Sequence, residues 1–305
     1  MNAGDKAVTI NGLVKAFDRK TILGSVSLHL EKECIYGLVG LNGSGKTTLI
    51  RLLLGLLKKD AGAISVLGYQ PWDHNPSFYR NIGVVLESDG FYGNMTVGEN
   101  LRVFAAAKGL SWDAAQDYFR EYWAQTDIYT TDKKVKFLSR GQRVQCGLCR
   151  AFLGWPRLYV LDEPAVSLDV TAYEQMKKMV LEAKNRGATV IISSHQLETI
   201  DDLCDRVGLL RNGVVEEISH NAEGHSQVWL LCAENSAIVR EIIQQHGGSD
   251  VGFEKGYWKF TLKKESLIIP EIINSLVSSA VAVREVWPQR RVFSDSIRDR
   301  YNNDS

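Results

Sequence analysis

Residues 40–47 read Gly-Leu-Asn-Gly-Ser-Gly-Lys-Thr and directly follow an apolar run, Ile35 to Val39, that has the pattern of a buried strand. Glycines in such a loop let backbone N–H groups face an anion, and the helix predicted to begin near Ser44 points its positive end at the same place. The ammonium of Lys46 would reach the β- and γ-phosphates of a nucleotide, and the hydroxyl of Thr47 would bind a bridging Mg²⁺. A glycine-rich turn that binds nothing is the alternative. The residues assigned to this predicted phosphate site are Gly40, Asn42, Gly43, Ser44, Gly45, Lys46, Thr47 and Thr48.

The composition is that of an ordinary globular protein, with 305 residues, of which 45% are hydrophobic and 24% charged. This length favours two domains. Lys plus Arg and Asp plus Glu number 36 each, so the net charge of zero gives no overall attraction to nucleic acid or anionic lipid. Because no apolar run reaches about 18 residues and residues 1–6 are polar, the sequence predicts neither a membrane span nor a secretory signal. We therefore expect a cytosolic protein.

The five cysteines lie in apolar segments, and their odd number favours reduced thiols over a disulfide framework. Cys146 and Cys149 form a C-x-x-C pattern, but they lie within a helical pattern, and no second pair is spaced to complete a metal site. We therefore predict that both are buried on a helix.

The first part of the chain alternates strand and helix patterns. Early strands are predicted at 8–13 and 26–30, and the helix after the phosphate loop should continue through 48–57. Thr96 and Glu99 form a capping box ahead of a helical pattern that extends to about residue 125. Strands return at 158–161 and 189–193 with a helical stretch between them, which predicts a parallel sheet.

We therefore predict an α/β domain over residues 1–219, with a helical insert at about 87–155, and a linker at 220–226. Residues 227–305 have the order β-α-β-β-α-β that is typical of a smaller ferredoxin-like α+β domain. Its predicted strands are 228–232, 251–253, 257–262 and 281–286, and its predicted helices are 236–246 and 267–279. This domain would serve dimerisation or stabilisation, with ligand sensing as the alternative.

Two carboxylates, Asp162 and Glu163, follow the apolar strand 158–161 and precede Pro164. At the tip of a buried strand beside the phosphate loop, Asp162 would hold Mg²⁺ directly or through water, and Glu163 would act as the general base on an attacking water. The alternative is that Asp-Glu-Pro only ends a strand.

His195 stands at the end of the predicted strand that follows in the same sheet. The parallel arrangement would bring it alongside Glu163, where a ring nitrogen could contact the γ-phosphate and orient the water. A strand-end histidine that faces solvent is the alternative.

A further anion site is indicated by Leu138-Ser139-Arg140-Gly141-Gln142, which precedes the helical pattern that contains Cys146. Ser139 and the helix N-terminus could bind an anion. Together with the elements above, in the same order, this segment makes about residues 8–213 resemble the ATP-binding cassette (ABC) ATPases, which have the P-loop NTPase fold. The signature of that family is typically L-S-G-G-Q.

The resemblance implies roles for the other motifs. It places Phe17 against adenine, and it assigns residues 40–47 to Walker A, 138–142 to the signature and 158–163 to Walker B. Asp169 would lie in the D-loop, and His195 would be the switch histidine. It also implies ATP and Mg²⁺ as cofactors, and a head-to-tail dimer with a second copy or a paralogue. In such a dimer ATP is clamped between one subunit's phosphate loop and signature residues of the other, namely Ser139, Arg140, Gly141 and Gln142.

The sequence departs from the family pattern at two positions. The Q-loop glutamine, which contacts Mg²⁺ in the family, is Glu87 here. A carboxylate can still serve Mg²⁺ as a catalytic-site ligand, although its charge beside phosphates could slow turnover. Arg140 replaces the first signature glycine, where it would touch phosphate or be solvated.

The tail 281–300, especially Val292-Phe293-Ser294-Asp295-Ser296, resembles the C-terminal ending of ABC-2-type drug- and antibiotic-exporter ATPases. This resemblance implies an ATP-hydrolysing subunit at the cytoplasmic face of the cell membrane that powers an integral-membrane permease for a drug, antibiotic or lipid-like substrate. Short helices of that permease would meet residues 87–94 and the helical insert. The alternatives are a cassette ATPase that acts on ribosomes or DNA, for which sustained heptads are missing, and an ATP-binding module with weak hydrolysis.

Overall fold

The computed structural model describes residues 6–18, 20–86, 90–124, 128–130, 132–218, 225–232, 237–254, 256–263, 265–289 and 293–302. The chain divides into two compact units, Met1–Ile218 and Ser219–Ser305.

The described part of the first unit contains strands in two sheets, surrounded by helices. Its strands are β1 (Lys6–Phe17), β2 (Lys20–Glu31), β3 (Ile35–Val39), β4 (Ala61–Val66), β5 (Ile82–Val85), β6 (Leu158–Asp162), β7 (Thr189–Ser194), β8 (Arg206–Arg211) and β9 (Val214–Ile218). Its helices are α1 (Lys46–Leu53), α2 (Pro76–Arg80), α3 (Val97–Ala107), α4 (Trp112–Trp123), α5 (Arg140–Phe152), α6 (Val170–Asn185) and α7 (Leu197–Leu203).

The central sheet has six strands in the order β5-β6-β7-β3-β8-β9, and all neighbours are parallel except β8 and β9. Every residue of β3, β6 and β7 is buried, which explains their near-continuous apolar sequences, because helices or a second sheet cover both faces. The predicted parallel α/β sheet is therefore confirmed. Its register pairs Asp162 with Ser193, so the carboxyl ends of β6 and β7 meet at one edge.

A smaller antiparallel sheet has the order β2-β1-β4. One hydrophobic cluster packs this sheet and α1 against one face of the central sheet, through residues such as Ile10, Leu28 and Ile50. A second cluster covers the other face with α3, α4, α5 and α6, through residues such as Phe119 and Met176. The central sheet is thus packed between two layers, one on each face.

The helical pattern to about residue 125 is two helices, because α3 ends at Ala107 and Ser111 caps α4 by accepting from the backbone N–H of Ala114. The predicted capping box of Thr96 and Glu99 is present. The C-x-x-C cysteines are both buried on α5, as predicted, and none of the five cysteines, all of which are described, forms a disulfide. Burial raises the pKa of the Cys149 thiol well above its usual value.

The helix after the phosphate loop is shorter than predicted. Gly45 has a φ of 109°, a left-handed conformation that glycine adopts without strain, so it is the N-cap and α1 begins at Lys46 instead of near Ser44. At the other end, Leu54 is the C-cap and α1 ends at Leu53 instead of residue 57.

The second unit contains β10 (His225–Cys232), α8 (Ala237–Gln245), β11 (Ser249–Glu254), β12 (Tyr257–Lys263), α9 (Glu265–Ser278), β13 (Val283–Gln289) and α10 (Phe293–Asn302). Up to β13 this is the predicted order β-α-β-β-α-β, and the strands form one antiparallel sheet in the order β11-β12-β10-β13. A separate core contains Val228, Trp258, Phe260 and Ile243. Helix α10 was not predicted.

The predicted linker needs a correction at its end. Residues 220–224 lie outside the described residues, but His225 and Ser226 belong to β10 and pair with Lys263 and Leu262. Among the described helices, none combines the length and the apolar character that a membrane crossing requires.

Candidate functional site

The phosphate loop connects the end of β3 to the start of α1, so its residues lie at the carboxyl edge of the central sheet. The ammonium of Lys46 turns back over the loop and donates to the carbonyl oxygens of Gly40 at 2.7 Å and Leu41 at 3.4 Å. Its Nζ lies 3.9 Å from Glu163 Oε1. The cation therefore stands between the loop backbone and the carboxylate that follows β6.

Asp162 ends β6 with its side chain largely buried. Its Oδ2 accepts a hydrogen bond from Thr47 Oγ1 at 3.2 Å, and its Oδ1 accepts one from Ser193 Oγ at 2.5 Å. The predicted metal ligands Thr47 and Asp162 are thus in direct contact.

Glu163 begins the turn after β6 with a φ of 51°, which is an unusual conformation for a residue with a side chain. Its backbone N–H is held by the hydroxyl oxygen and the carbonyl oxygen of Ser193, at 3.0 and 3.2 Å. Backbone strain of this kind persists only where surrounding contacts enforce it, and it is frequent at active sites. The turn points the carboxylate toward the phosphate loop.

His195 contacts Glu163 as the sequence predicted, with Nδ1 at 2.8 Å from Oε2. An ionised carboxylate only accepts hydrogen bonds, so a neutral His195 in this contact carries its proton on Nδ1 and leaves Nε2 as an acceptor. The Glu163 side chain is 25% exposed and that of His195 is 50% exposed. Both groups are therefore accessible to a water molecule.

These groups border a cavity of about 830 Å³. Its lining includes Phe17, which is 45% exposed at the end of β1 and has the ammonium of Lys15 at 5.1 Å from its ring centroid. It also includes loop residues, the site carboxylates and three arginines of α5, namely Asn42, Gly43, Gly45, Lys46, Thr47, Thr48, Asp162, Glu163, His195, Arg140, Arg143 and Arg150. A volume of this size suits a nucleotide.

The signature-like segment forms the start of α5. Ser139 and Gln142 satisfy each other in a capping box, in which each side chain accepts the other residue's backbone N–H. A Cβ on Gly141 would lie 2.4 Å from the carbonyl oxygen of Ser167, so only glycine fits this close approach. The exposed side chain of Arg140 lines the chain's own cavity, whereas Ser139, Gly141 and Gln142 are not in its lining.

Two further predicted site residues are not brought to this cavity by the described structure. Asp169 is the N-cap of α6, where its Oδ1 accepts from the backbone N–H of Ala172 at 2.8 Å, and it does not line the cavity. Glu87 lies outside the described residues. The preceding residue, Leu86, does line the cavity.

Sequence reasoning missed Ser193, which holds both Asp162 and Glu163. The available signal was the parallel register, because a serine next to the end of the neighbouring strand β7 pairs with the aspartate that ends β6. It also missed Arg143 and Arg150, whose spacing from Arg140 places all three on one face of α5.

The chemistry of these groups fits a nucleotide with a hard cation. Ser44 Oγ is buried without a hydrogen-bond partner among the described residues, so the loop has an unsatisfied polar group beside the helix N-terminus. Thr47 and Asp162 offer oxygen ligands of the kind that Mg²⁺ prefers, and they are too few to bind it without oxygens from substrate and water.

A model of the family described as "ABC transporter" matches residues 23–166. The "Bacitracin transport ATP-binding protein BcrA" of Bacillus licheniformis is 34% identical over 240 residues, which cover 77% of each chain. The chain belongs to the ABC transporter ATP-binding family. The "Uncharacterized ABC transporter ATP-binding protein YdbJ" of Bacillus subtilis (strain 168) is 31% identical to this ABC protein over 96% of this chain and 93% of its own length. The family binds ATP, and its members are generally ATPases.

Solved structures agree with this assignment. A chain described as "Structure of ATP binding subunit of ABC transporter" has a TM-score of 0.65 and 25% identity to this ABC protein, covering 89% of this chain and 99% of that one. A nucleotide-free ATP-binding cassette from an ABC transporter has a TM-score of 0.60 with 25% identity, and covers 70% of this chain and 90% of its own. The α/β fold with a phosphate loop is that of the P-loop NTPases.

Proposed function

We propose that this protein binds ATP with Mg²⁺, hydrolyses it with Glu163 as general base, and thereby drives a separate integral-membrane permease. The observation that carries the hydrolytic proposal is the contact of Glu163 with His195 at 2.8 Å, at the border of the cavity that contains the phosphate loop. A general base must lie within hydrogen-bond reach of the proton that it removes, and Glu163 borders the cavity in which the attacking water would lie, with His195 holding its carboxylate.

The loop would bind the phosphates of ATP through the backbone N–H groups at the start of α1 and through the ammonium of Lys46. That ammonium would exchange its contacts with Gly40 and Leu41 for phosphate oxygens. Phe17 presents an exposed ring to the same cavity, which supports stacking on adenine.

Thr47 Oγ1 and Asp162 would hold the metal. Bound Mg²⁺ supplies charge neutralisation for the phosphate oxygens of ATP. Ser193 positions Asp162, since its hydroxyl donates to Oδ1, and Glu87 is a proposed additional ligand on the strength of the sequence alone.

In the hydrolytic step, the Glu163 carboxylate would accept a proton from water as the water oxygen bonds to the γ-phosphorus of ATP. The bond between the γ-phosphorus and the β–γ bridging oxygen breaks, which gives ADP and phosphate. His195 would hold the carboxylate through its Nδ1–H and offer Nε2 to the water or to a phosphate oxygen. Lys46, near the same carboxylate, would stabilise negative charge on the γ-phosphate.

The functional unit is proposed to be a head-to-tail dimer, with a second copy or a paralogue. Ser139, Gly141 and Gln142 of the signature and Asp169 do not line the chain's own cavity, which supports a role at the cavity of a second subunit. Arg140, in contrast, lines the nucleotide cavity of its own chain, where its guanidinium would contact phosphate or be solvated.

The permease is proposed to dock on a groove of about 500 Å³ between α2, β5, α3 and α5. Its lining contains the cations Arg80, Lys108 and Arg150 and no Asp or Glu among the described residues, together with the rings of Tyr79 and Phe104. A short amphipathic segment that bears a carboxylate would suit this lining. Such docking would place the protein at the cytoplasmic face of the cell membrane.

Export of an antibiotic, drug or lipid-like substrate is the proposed direction and class of transport. It is supported by the printed names of relatives, which include bacitracin transport and, for the 30% identical "Lantibiotic transport ATP-binding protein SrtF" of Streptococcus pyogenes, lantibiotic transport. No nucleic acid is expected as a partner, since the net charge is zero.

The test is steady-state hydrolysis of Mg-ATP against protein concentration, with Glu163→Gln and the matched control Glu174→Gln, an exposed carboxylate on α6. We expect activity to rise more than linearly with concentration, and Glu163→Gln to lower it by about 10²–10⁴-fold while ATP binding is retained. Glu174→Gln should leave it unchanged. Equal activity of Glu163→Gln and its control would remove Glu163 as the base, and a strictly linear concentration dependence would argue against the composite dimer.

A further inference from the structure

A second large cavity, of about 760 Å³, lies in the first unit at the opposite edge of the central sheet. Arg157 and Ala188, which line it, directly precede β6 and β7, so the cavity faces the amino ends of these parallel strands. Residues of β1, β4 and the end of α6 complete its walls. It is therefore separate from the phosphate loop, which lies at the carboxyl edge.

The described lining of the cavity is rich in cations. Its lining contains Lys6, Lys32, Arg157 and Arg186 and no Asp or Glu among the described residues. Lys6 and Arg157 make no side-chain hydrogen bond or ion pair with any described residue. Cations that line one cavity repel each other, and an anion bound among them would offset this repulsion.

One of these cations is held in place. Arg186 lies 4.0 Å over the ring of Trp155, donates to Tyr122 Oη at 2.9 Å, and bonds Glu182 through Nε at 2.8 Å. These contacts hold the guanidinium against the ring of Trp155 and use the donors on Nε and one terminal nitrogen. The site thus combines one ordered guanidinium with two cations that have no side-chain partner among the described residues.

The backbone around the cavity is strained at two bulky residues. Leu67 has a φ of 51° and Trp155 a φ of 50°, and both line the cavity. Left-handed backbone is a genuine outlier for large side chains and persists where function or packing enforces it. The same kind of strain occurs at Glu163 in the nucleotide site.

We propose that this second cavity binds a small soluble anion with several phosphate groups. Lysine and arginine side chains with hydroxyls from Thr9 and Ser65 are donors that match phosphate oxygens, and the volume lies in the range of ligand sites. Binding there would not require the nucleotide site, so the proposal stands independently of ATP hydrolysis.

Isothermal titration with sodium tripolyphosphate tests this inference, on the full chain carrying Lys46→Ala to weaken the phosphate loop. In that background, Lys6→Gln with Arg157→Gln removes the two unpartnered cations of the cavity. The matched control is Lys58→Gln with Lys178→Gln, which removes two exposed lysines elsewhere in the first unit. Thermal melting of each protein verifies that the fold is retained.

We expect one tripolyphosphate per chain, an affinity that falls with added salt, and a loss of about tenfold in the cavity variant against less than about twofold in the control. Equal affinities of the two variants, or no binding in the Lys46→Ala background, would overturn the inference. Flotation with vesicles of phosphatidic acid and phosphatidylcholine addresses the other source of phosphate groups. Vesicle binding that depends on Lys6 and Arg157, without tripolyphosphate binding, would overturn the assignment to a soluble anion.

Discussion

The variant Ser193→Ala would remove one hydroxyl that holds both acidic residues of the nucleotide site. Its oxygen donates to Asp162 Oδ1 at 2.5 Å and accepts the backbone N–H of Glu163 at 3.0 Å, and Ser193 is fully buried. In the variant the Glu163 N–H keeps the Ser193 carbonyl oxygen at 3.2 Å. Asp162 Oδ1 has no such replacement for its lost donor.

The magnitude follows from these contacts. A buried hydrogen bond to a charged group contributes about 1.5–3 kcal/mol to the free energy of unfolding, and we expect a loss of about 2 kcal/mol. For a unit of this size that loss lowers Tm by about 4–8 °C. Because the carboxylate also loses its orientation, ATP hydrolysis should fall by about tenfold or more, as for other residues that orient metal ligands. Differential scanning calorimetry, which can resolve the transitions of separate units, and steady-state hydrolysis measure both effects.

The neighbouring variant Ser194→Ala is the control. Ser194 is also buried, but among the described residues its hydroxyl bonds only the backbone of Gln196, at 2.9 and 3.2 Å. Its loss should cost about 1 kcal/mol and leave hydrolysis within about twofold. Equal Tm shifts and equal hydrolysis rates in the two variants would refute the role given to Ser193.

Two further predictions concern packing and pH. Gly141→Ala places a Cβ 2.4 Å from the carbonyl oxygen of Ser167, so it should lower the stability by about 1–3 kcal/mol, seen as a lower Tm, and should also lower the rate of ATP hydrolysis. Gly147→Ala is the control, because the closest neighbour of its Cβ would lie at 3.6 Å, and it should be tolerated in the same melting and activity assays. Burial, and secondarily the charge of Arg150, lowers the pKa of Lys108 from 10.5 to about 8. The buried charge therefore destabilises the fold fully below about pH 8, and this cost disappears as the pH rises toward 10.5, the pKa of the side chain in the unfolded chain. Lys108→Met should therefore add about 2 kcal/mol of stability at pH 7, after loss of the hydrogen bond from Lys108 Nζ to the carbonyl oxygen of Leu153. At pH 10.5 the same variant should show no gain and a small loss, because that hydrogen bond is still missing; a gain that persists at pH 10.5 in urea unfolding would contradict this origin.

Much of the site was predictable because it depends on which residues end parallel strands. Asp162, Glu163 and His195 follow apolar strand patterns, and parallel pairing brings such ends to one edge. Ser193 was not found, since a serine near the end of a strand has no distinctive pattern and its role follows only from its pairing with Asp162.

Other features depend on contacts between distant parts of the chain. The cations of the second cavity, Lys6, Lys32, Arg157 and Arg186, are scattered along the sequence, and only the packing of β1 near the starts of β6 and β7 brings them together. Helix α10 was missed because its sequence is mainly polar, although its apolar residues Phe293 and Ile297 are spaced one helical turn apart and are buried.

Arg150 belongs to the linings of both the nucleotide cavity and the groove beside α3. Its guanidinium lies 4.7 Å from the ring centroid of Phe91 and 5.0 Å from that of Phe104, and it donates to the carbonyl oxygen of Val84 at 3.2 Å. Because this side chain lines both compartments, an occupant of one that moves Arg150 would alter binding in the other. If nucleotide changes the affinity of the groove for its occupant by some factor, that occupant must change the affinity for nucleotide by the same factor. Any coupling through Arg150 is therefore reciprocal, so it can be measured by titrating either compartment with the other one occupied or empty.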